Sequence, residues 1–352
     1  MVYVPTTYQI SPSSCHYYAS SLYLCVVMII DVVRHKLLEG VLTLLIIAVA
    51  VVSVGTAQPL PHADVAIGVA PLQPLLTAFE IAHPILAALL GIALILHTAI
   101  RLSHATIRAK IYPTTTVAVI ALSGIAIAGI TTAGNLLATL LVGVLTAEFI
   151  ARMLYSLKHN ARTHHIFTAM MALGAMPLVD GSTLGMMTLL PLLLISLRAR
   201  AREVIVAIVG AALPLFIYCY VVWCYGAEFS ATATALWDNM LLDAQLPVVE
   251  VLTLSRLIFV GALLFLGLCS AVIYRSERLS MTLTARNSWT MLQLCAIQLI
   301  AIFALLPSAS AASLLVVALI AVTMLPLLLQ RMNISISIVG YIALLILAFV
   351  AM

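Results

Sequence analysis

Apolar residues occur in long unbroken runs separated by short polar stretches, at 37–57, 81–100, 114–155, 164–197, 203–225, 252–274, 287–306, 311–329 and 334–351. An α-helix rises about 1.5 Å per residue, so about 20 apolar residues cover the roughly 30 Å hydrocarbon layer of a bilayer. Two runs are too long for a single crossing. As helices, 114–155 would extend about 63 Å and 164–197 about 51 Å. The first contains Gly129, Gly134 and Asn135, residues that weaken a helix. The second contains Asp180-Gly181-Ser182, a turn tripeptide that also offers a cap to a following helix. Splitting both predicts an all-α, polytopic integral membrane protein with about 11 transmembrane helices. The range runs from 9 spans without the splits to 12 if residues 19–33 add one.

The basic residues agree with this count. Alternating sides from the first span, 15 of the 16 Lys and Arg residues fall in loops on one side, and only Arg256 falls elsewhere. Cytoplasmic loops collect Lys and Arg, which predicts a bacterial cytoplasmic (inner) membrane protein with its N-terminus cytoplasmic and its C-terminus outside. Asp64, Glu80, Asp180, Glu228, Asp238, Asp243 and Glu250 take the outer side, and Tyr218, Tyr220, Trp223 and Tyr225 form an aromatic belt there.

Composition narrows the class further. Of 352 residues, 64% are hydrophobic and 8% charged, against about 25% charged in a soluble domain. A chain with a mean hydropathy of +1.22 cannot cover a globule of this size with polar surface. A soluble enzyme, a disordered tail and a nucleic-acid-binding module are excluded. The net charge of +4 is too small to indicate a polyanion partner. The six cysteines form no CxxC pair and mostly lie in apolar runs, where cysteine packs as a small hydrophobe. They predict neither a zinc site nor a disulfide framework.

Residues 1–36 read as an N-terminal cytoplasmic or interfacial segment without the basic region of a signal peptide. Met28 is an alternative start, since Met28 to Lys36 followed by a span has the form of an ordinary membrane-protein beginning. Residues 37–352 read as a single transmembrane helical domain with two outer loops, 58–80 and 226–251. The first is Pro-rich and predicts a broken interfacial segment; the second is acidic, with helix-compatible sequence around 231–244.

Ionisable groups at membrane depth are costly, so they are where chemistry is sought. Arg256 is placed to hold a phosphate or carboxylate, or to pair with Glu250. Glu148 lies four residues before Arg152, the favoured order for a helical ion pair. His97, Arg101, His104 and Arg108 share one helix face and read as a headgroup-facing stripe. In the first outer loop, Asp64 or Glu80 offers a general base toward an acceptor hydroxyl. His62 with Asp64 offers weak, non-specific metal-ligand spacing. Asp180 reads first as a turn cap, with a substrate contact as its alternative role. No nucleotide-binding or metalloprotease motif is present, and no organic cofactor is predicted.

The stretch from Tyr155 to Gly226 has an ordered set of features. A basic loop is followed by a short span with Gly174, a turn, Leu190-Pro191-Leu-Leu-Leu, a basic knot, a span with Gly210 and Ala-Leu-Pro214, and an aromatic exit. This resembles an uncharacterised family of bacterial polytopic membrane proteins, and more distantly it is similar to GT-C membrane glycosyltransferases. The latter resemblance implies a polyprenyl-phosphate-linked sugar as donor and a catalytic acid in the first outer loop. Asp64 is its nearest match and Glu80 its second; the usual paired-acid motif is absent. Three functions are therefore carried forward: a lipid-linked-sugar glycosyltransferase with membrane lipids as surroundings, a non-catalytic membrane subunit or assembly factor with envelope protein partners, and a transporter or flippase of lipid-linked solutes.

Overall fold

A computed structural model describes residues 37–55, 70–113, 116–131, 135–157, 162–197, 199–242, 254–305 and 310–351. Thirteen α-helices account for most of them, and among the described residues there is no strand. In chain order they are α1 (Leu37–Gly55), α2 (Gln73–Ala82), α3 (Pro84–Ala109), α4 (Ala118–Ala128), α5 (Leu136–Ser156), α6 (Arg162–Val179), α7 (Leu189–Ser196), α8 (Ala201–Cys224), α9 (Phe229–Leu242), α10 (Leu254–Glu277), α11 (Leu283–Leu305), α12 (Ala311–Arg331) and α13 (Ile334–Ala351). A 3₁₀ segment, Gly181–Thr188, leads directly into α7.

Both predicted breaks occur. The first long run ends its helix at Gly129 and resumes at Leu136. Gly129 also lets α10 approach, because a Cβ there would lie 2.3 Å from the Phe259 ring. The second breaks at Asp180, whose carboxylate accepts from the Ser182 backbone N–H at 3.0 Å and hydroxyl at 2.6 Å.

Of the expected spans, five are helices long and apolar enough to cross a membrane among the described residues: α3, α5, α8, α10 and α12. These mark a membrane-embedded, multi-pass protein. Other apolar helices are shorter, and α4 has 11 residues. The 3₁₀ segment partly makes up length. At about 2.0 Å per residue followed by α-helix at about 1.5 Å, residues 181–196 reach about 28 Å, where a pure α-helix would reach about 24 Å.

Contacts fix the helix directions. Gly91 of α3 lies against Val52 of α1 and against Leu136 and Leu140 of α5, while Arg101 meets Glu148 and His104 meets Tyr155. Thus α3 and α5 run parallel, and α4 returns the chain between them. Helices α6 and α8 are likewise parallel, with Arg162 at Glu203 and Gly174 at Ala211. So are α10 and α12, with Gly267 at Ala321, Ser270 at Met324 and Glu277 at Arg331. The helix ends that carry Arg108, Arg162, Arg200, Arg275, Arg286 and Arg331 consequently gather at one end of the bundle. Glu80, Asp180, Glu228 and Arg256 belong to the opposite end.

Helix α12 is the centre of the packing. Every residue from Ala312 to Leu329 is buried, as expected of a helix that is apolar all round. Pro326 removes one N–H from its ladder. Two carbonyls nearby take donors from other helices and loops: Tyr112 donates to Thr323 at 2.5 Å and Ser270 to Met324 at 2.5 Å. Trp289, fully buried and stacked on Tyr274, donates to the Ile111 carbonyl at 3.0 Å.

Candidate functional site

The residues proposed for chemistry have separate local partners. His62 and Asp64 lie outside the described residues, as does Glu250, the expected partner of Arg256. Glu80 projects from α2 onto the start of α5, where its Oε1 accepts from the Leu137 N–H at 2.5 Å. Asn135, at the N-cap position of α5, makes no side-chain cap hydrogen bond, so Glu80 supplies from another helix what the local sequence does not. A carboxylate at a helix N-terminus satisfies an orphan donor and opposes the positive end of the dipole.

Burial raises the Glu80 pKa, and its backbone hydrogen bonds to Leu137 and Leu136 offset only part of that. A carboxyl whose folded pKa lies above its unfolded value binds more protons in the fold, so its contribution to stability falls as pH rises through that window. Glu80→Gln keeps an acceptor for Leu137 and removes the charge. Its stability relative to the parent is expected to increase as pH is raised above the ordinary glutamate range and to level off below it. Glu80→Ala, which leaves the cap empty, is expected to cost about 1 kcal/mol below the ordinary glutamate range, and that cost is expected to shrink with rising pH in parallel with the Glu80→Gln curve. Thermal unfolding in detergent across a pH series measures both.

Asp180 is committed to its own turn, and Ser182 links that turn to Ser310, the N-cap of α12, at 2.6 Å. Arg256, half-buried near the start of α10, donates from Nε to the Ala351 carbonyl at 3.2 Å. It has no acidic partner among the described residues. No hydrogen bond or ion pair joins Glu80, Asp180 and Arg256. A pocket of about 360 Å³ opens at the same end between α8, α9 and Pro71. Its one charged residue among the described residues is Glu228, which accepts from the Ser230 hydroxyl at 2.8 Å. An acidic rim of this kind disfavours a phosphate. Among the described residues no three His, Cys, Asp or Glu side chains converge as a metal site, and the four described cysteines are free.

Sequence reasoning missed the main charged cluster. Arg101 turns inward and holds Glu148 through two bonds, Nε to Oε1 at 2.6 Å and Nη2 to Oε2 at 3.0 Å. The expected Glu148–Arg152 pair is also present, but longer at 3.3 Å. Arg101 additionally sits over the Tyr155 ring at 5.5 Å from its centroid, and Tyr155 reaches His104 Nδ1 at 3.3 Å. The stripe reading is thus corrected at Arg101: His97, His104 and Arg108 are exposed, whereas Arg101 faces α5. An acid within an apolar run and a basic residue toward the same end of a neighbouring run were the available signal.

No family model, curated protein or solved structure matches the chain.

Proposed function

We propose that the chain is a non-catalytic membrane subunit or assembly factor of the bacterial cell envelope, set in the cytoplasmic membrane with its basic end cytoplasmic. The observation supporting this reading is the work done by the described acids at the opposite end. Glu80 caps α5 from outside that helix, Asp180 caps the 3₁₀ segment, and Glu228 is bonded to Ser230 at the start of α9. Glu80 and Asp180 each hold a helix start in place, which is what a scaffold built from packed helices requires. In this reading the partners are membrane lipids and other envelope proteins.

A second reading is favoured by Arg256, a half-buried guanidinium whose acceptor among the described residues is a single backbone carbonyl. In a transferase using a polyprenyl-phosphate-linked sugar, Asp64 would take the proton of an acceptor hydroxyl as that oxygen bonds to the anomeric carbon. The sugar–phosphate bond would break with its electrons left on the polyprenyl phosphate, held by Arg256. Glu80 would be the alternative acid, and His62 and Asp180 would contact the sugar.

One experiment separates the two. Asp64→Asn and Arg256→Ala are introduced into the chromosomal copy and envelope glycans are profiled by mass spectrometry. The subunit reading expects both profiles to match the parent, with deletion of the whole chain altering envelope assembly. Loss of one and the same glycan, by a hundredfold or more, in both variants would establish the transferase instead.

A further inference from the structure

Between α10, α11 and α12 lies a cleft of about 250 Å³. Its floor is made of small or buried residues, Gly267, Ala321 and Met324, and its lips, Leu268, Val272 and Ile297, are exposed. It therefore opens sideways, in the direction a bilayer would occupy. At its basic end stand Arg275, in the last turn of α10, and Gln293.

Three features of the cleft agree in length, charge and chemistry. From Leu264 to Arg275 it follows eleven helical steps, about 16 Å at 1.5 Å each. Half of a roughly 30 Å hydrocarbon layer is about 15 Å, so the cleft has the depth of one leaflet. Arg275 is exposed and has no acidic partner among the described residues; the nearest acid in sequence, Glu277, is held by Arg331 at 2.5 Å. Among the described residues the Gln293 amide makes one long bond, to the Ala271 carbonyl at 3.4 Å, and so retains donor capacity. Basic residues at the cytoplasmic mouth of an apolar inter-helix pocket suit an anionic lipid headgroup.

We propose that this cleft is a binding site for one acyl chain of an anionic glycerophospholipid of the inner leaflet, with the lipid phosphate on Arg275. The site does not depend on whether the chain is a subunit or a transferase, but its assignment to the inner leaflet rests on the orientation proposed above. An ester carbonyl below the phosphate falls at the depth of Gln293, and the chain lies over Gly267 and Ala321, where larger side chains would exclude it.

The test uses the purified full-length protein in detergent, titrated with phosphatidylglycerol or with phosphatidylcholine of identical chains, with bound lipid counted by native mass spectrometry. The protein is expected to hold one phosphatidylglycerol at least tenfold more tightly than phosphatidylcholine. Arg275→Gln is expected to bring the two affinities together. Ala271→Leu and Ala296→Leu, which fill the cleft from opposite walls, are each expected to lower phosphatidylglycerol occupancy at least fivefold without lowering the melting temperature. Equal binding of the two lipids by the parent protein, an unchanged preference in Arg275→Gln, or full occupancy in both folded filling variants would each overturn the proposal and leave ordinary annular lipid in its place.

Discussion

Replacing Glu148 by Gln is expected to destabilise the bundle by about 3 kcal/mol, the scale for breaking one partner out of a buried ion pair. The Arg101 side chain is 18% exposed and that of Glu148 is 28% exposed, so neither is fully hydrated when the other is lost. Glu148 also serves Arg152, but it is the more enclosed Arg101 that loses its carboxylate partner without ready access to water. A charged residue at membrane depth costs roughly 2.5–3.5 kcal/mol on insertion scales, which independently supports the figure. The companion variant, Arg101→Leu with Glu148→Leu, is expected to recover most of the loss. It deletes the charges that must be desolvated, while Arg152, near the basic end, can extend its head toward water. Unfolding in mixed micelles, followed by loss of helicity, reads both. Equal stability of Glu148→Gln and the parent would show that the cluster is hydrated and carries no structural weight.

Gly174→Ala is expected to be nearly as damaging, at about 2–3 kcal/mol, and Gly174→Leu to prevent α6 and α8 from packing at all. A Cβ at this position would sit 2.0 Å from the Ala211 carbonyl oxygen and 2.8 Å from its carbon. Both atoms are backbone, so one helix must move bodily; overpacking of this kind costs 1–3 kcal/mol or more. The facing residue shows the same constraint, since a Cβ on Gly210 would lie 2.8 Å from the Phe167 carbonyl. Small residues at a helix crossing are how membrane helices approach closely. Gly261 and Gly340 are the internal controls: a Cβ there meets nothing within 4 Å. Alanine at either should leave the melting temperature unchanged or raised. Parallel melts of the four alanine variants separate crossing glycines from incidental ones.

How far the sequence could be read depends on whether the governing interaction is local. The breaks at Gly129 and Asp180 were legible because turn residues act within their own few positions. The helix α9 likewise falls where the 226–251 loop had helix-compatible sequence. Burial was not legible. Helices α12 and α13 are both apolar along their length, yet α12 is enclosed while α13 exposes Ile336, Val339 and Val350. Lipid tails and protein interiors are similarly apolar, so hydrophobicity alone does not say which one a helix faces. The candidate site failed to read for a related reason. Periodicity placed Arg101 on a face with His97 and His104 but could not say which neighbour met that face. Glu80 was recognised as an acid near the membrane surface, but its task depends on α5 starting beside it, 57 residues later.

The enclosure of α12 bears on how the protein is made. This helix begins at Ala311 of 352 residues, so it leaves the ribosome after nearly all of its surroundings have entered the membrane. Until then the faces of α4, α5 and α10 that will contact it can only be covered by lipid, or by whatever insertase or chaperone attends the nascent chain. The centre of the molecule is its latecomer, and a truncation upstream of position 311 would leave a ring of helices without a hub, a natural substrate for membrane proteolysis.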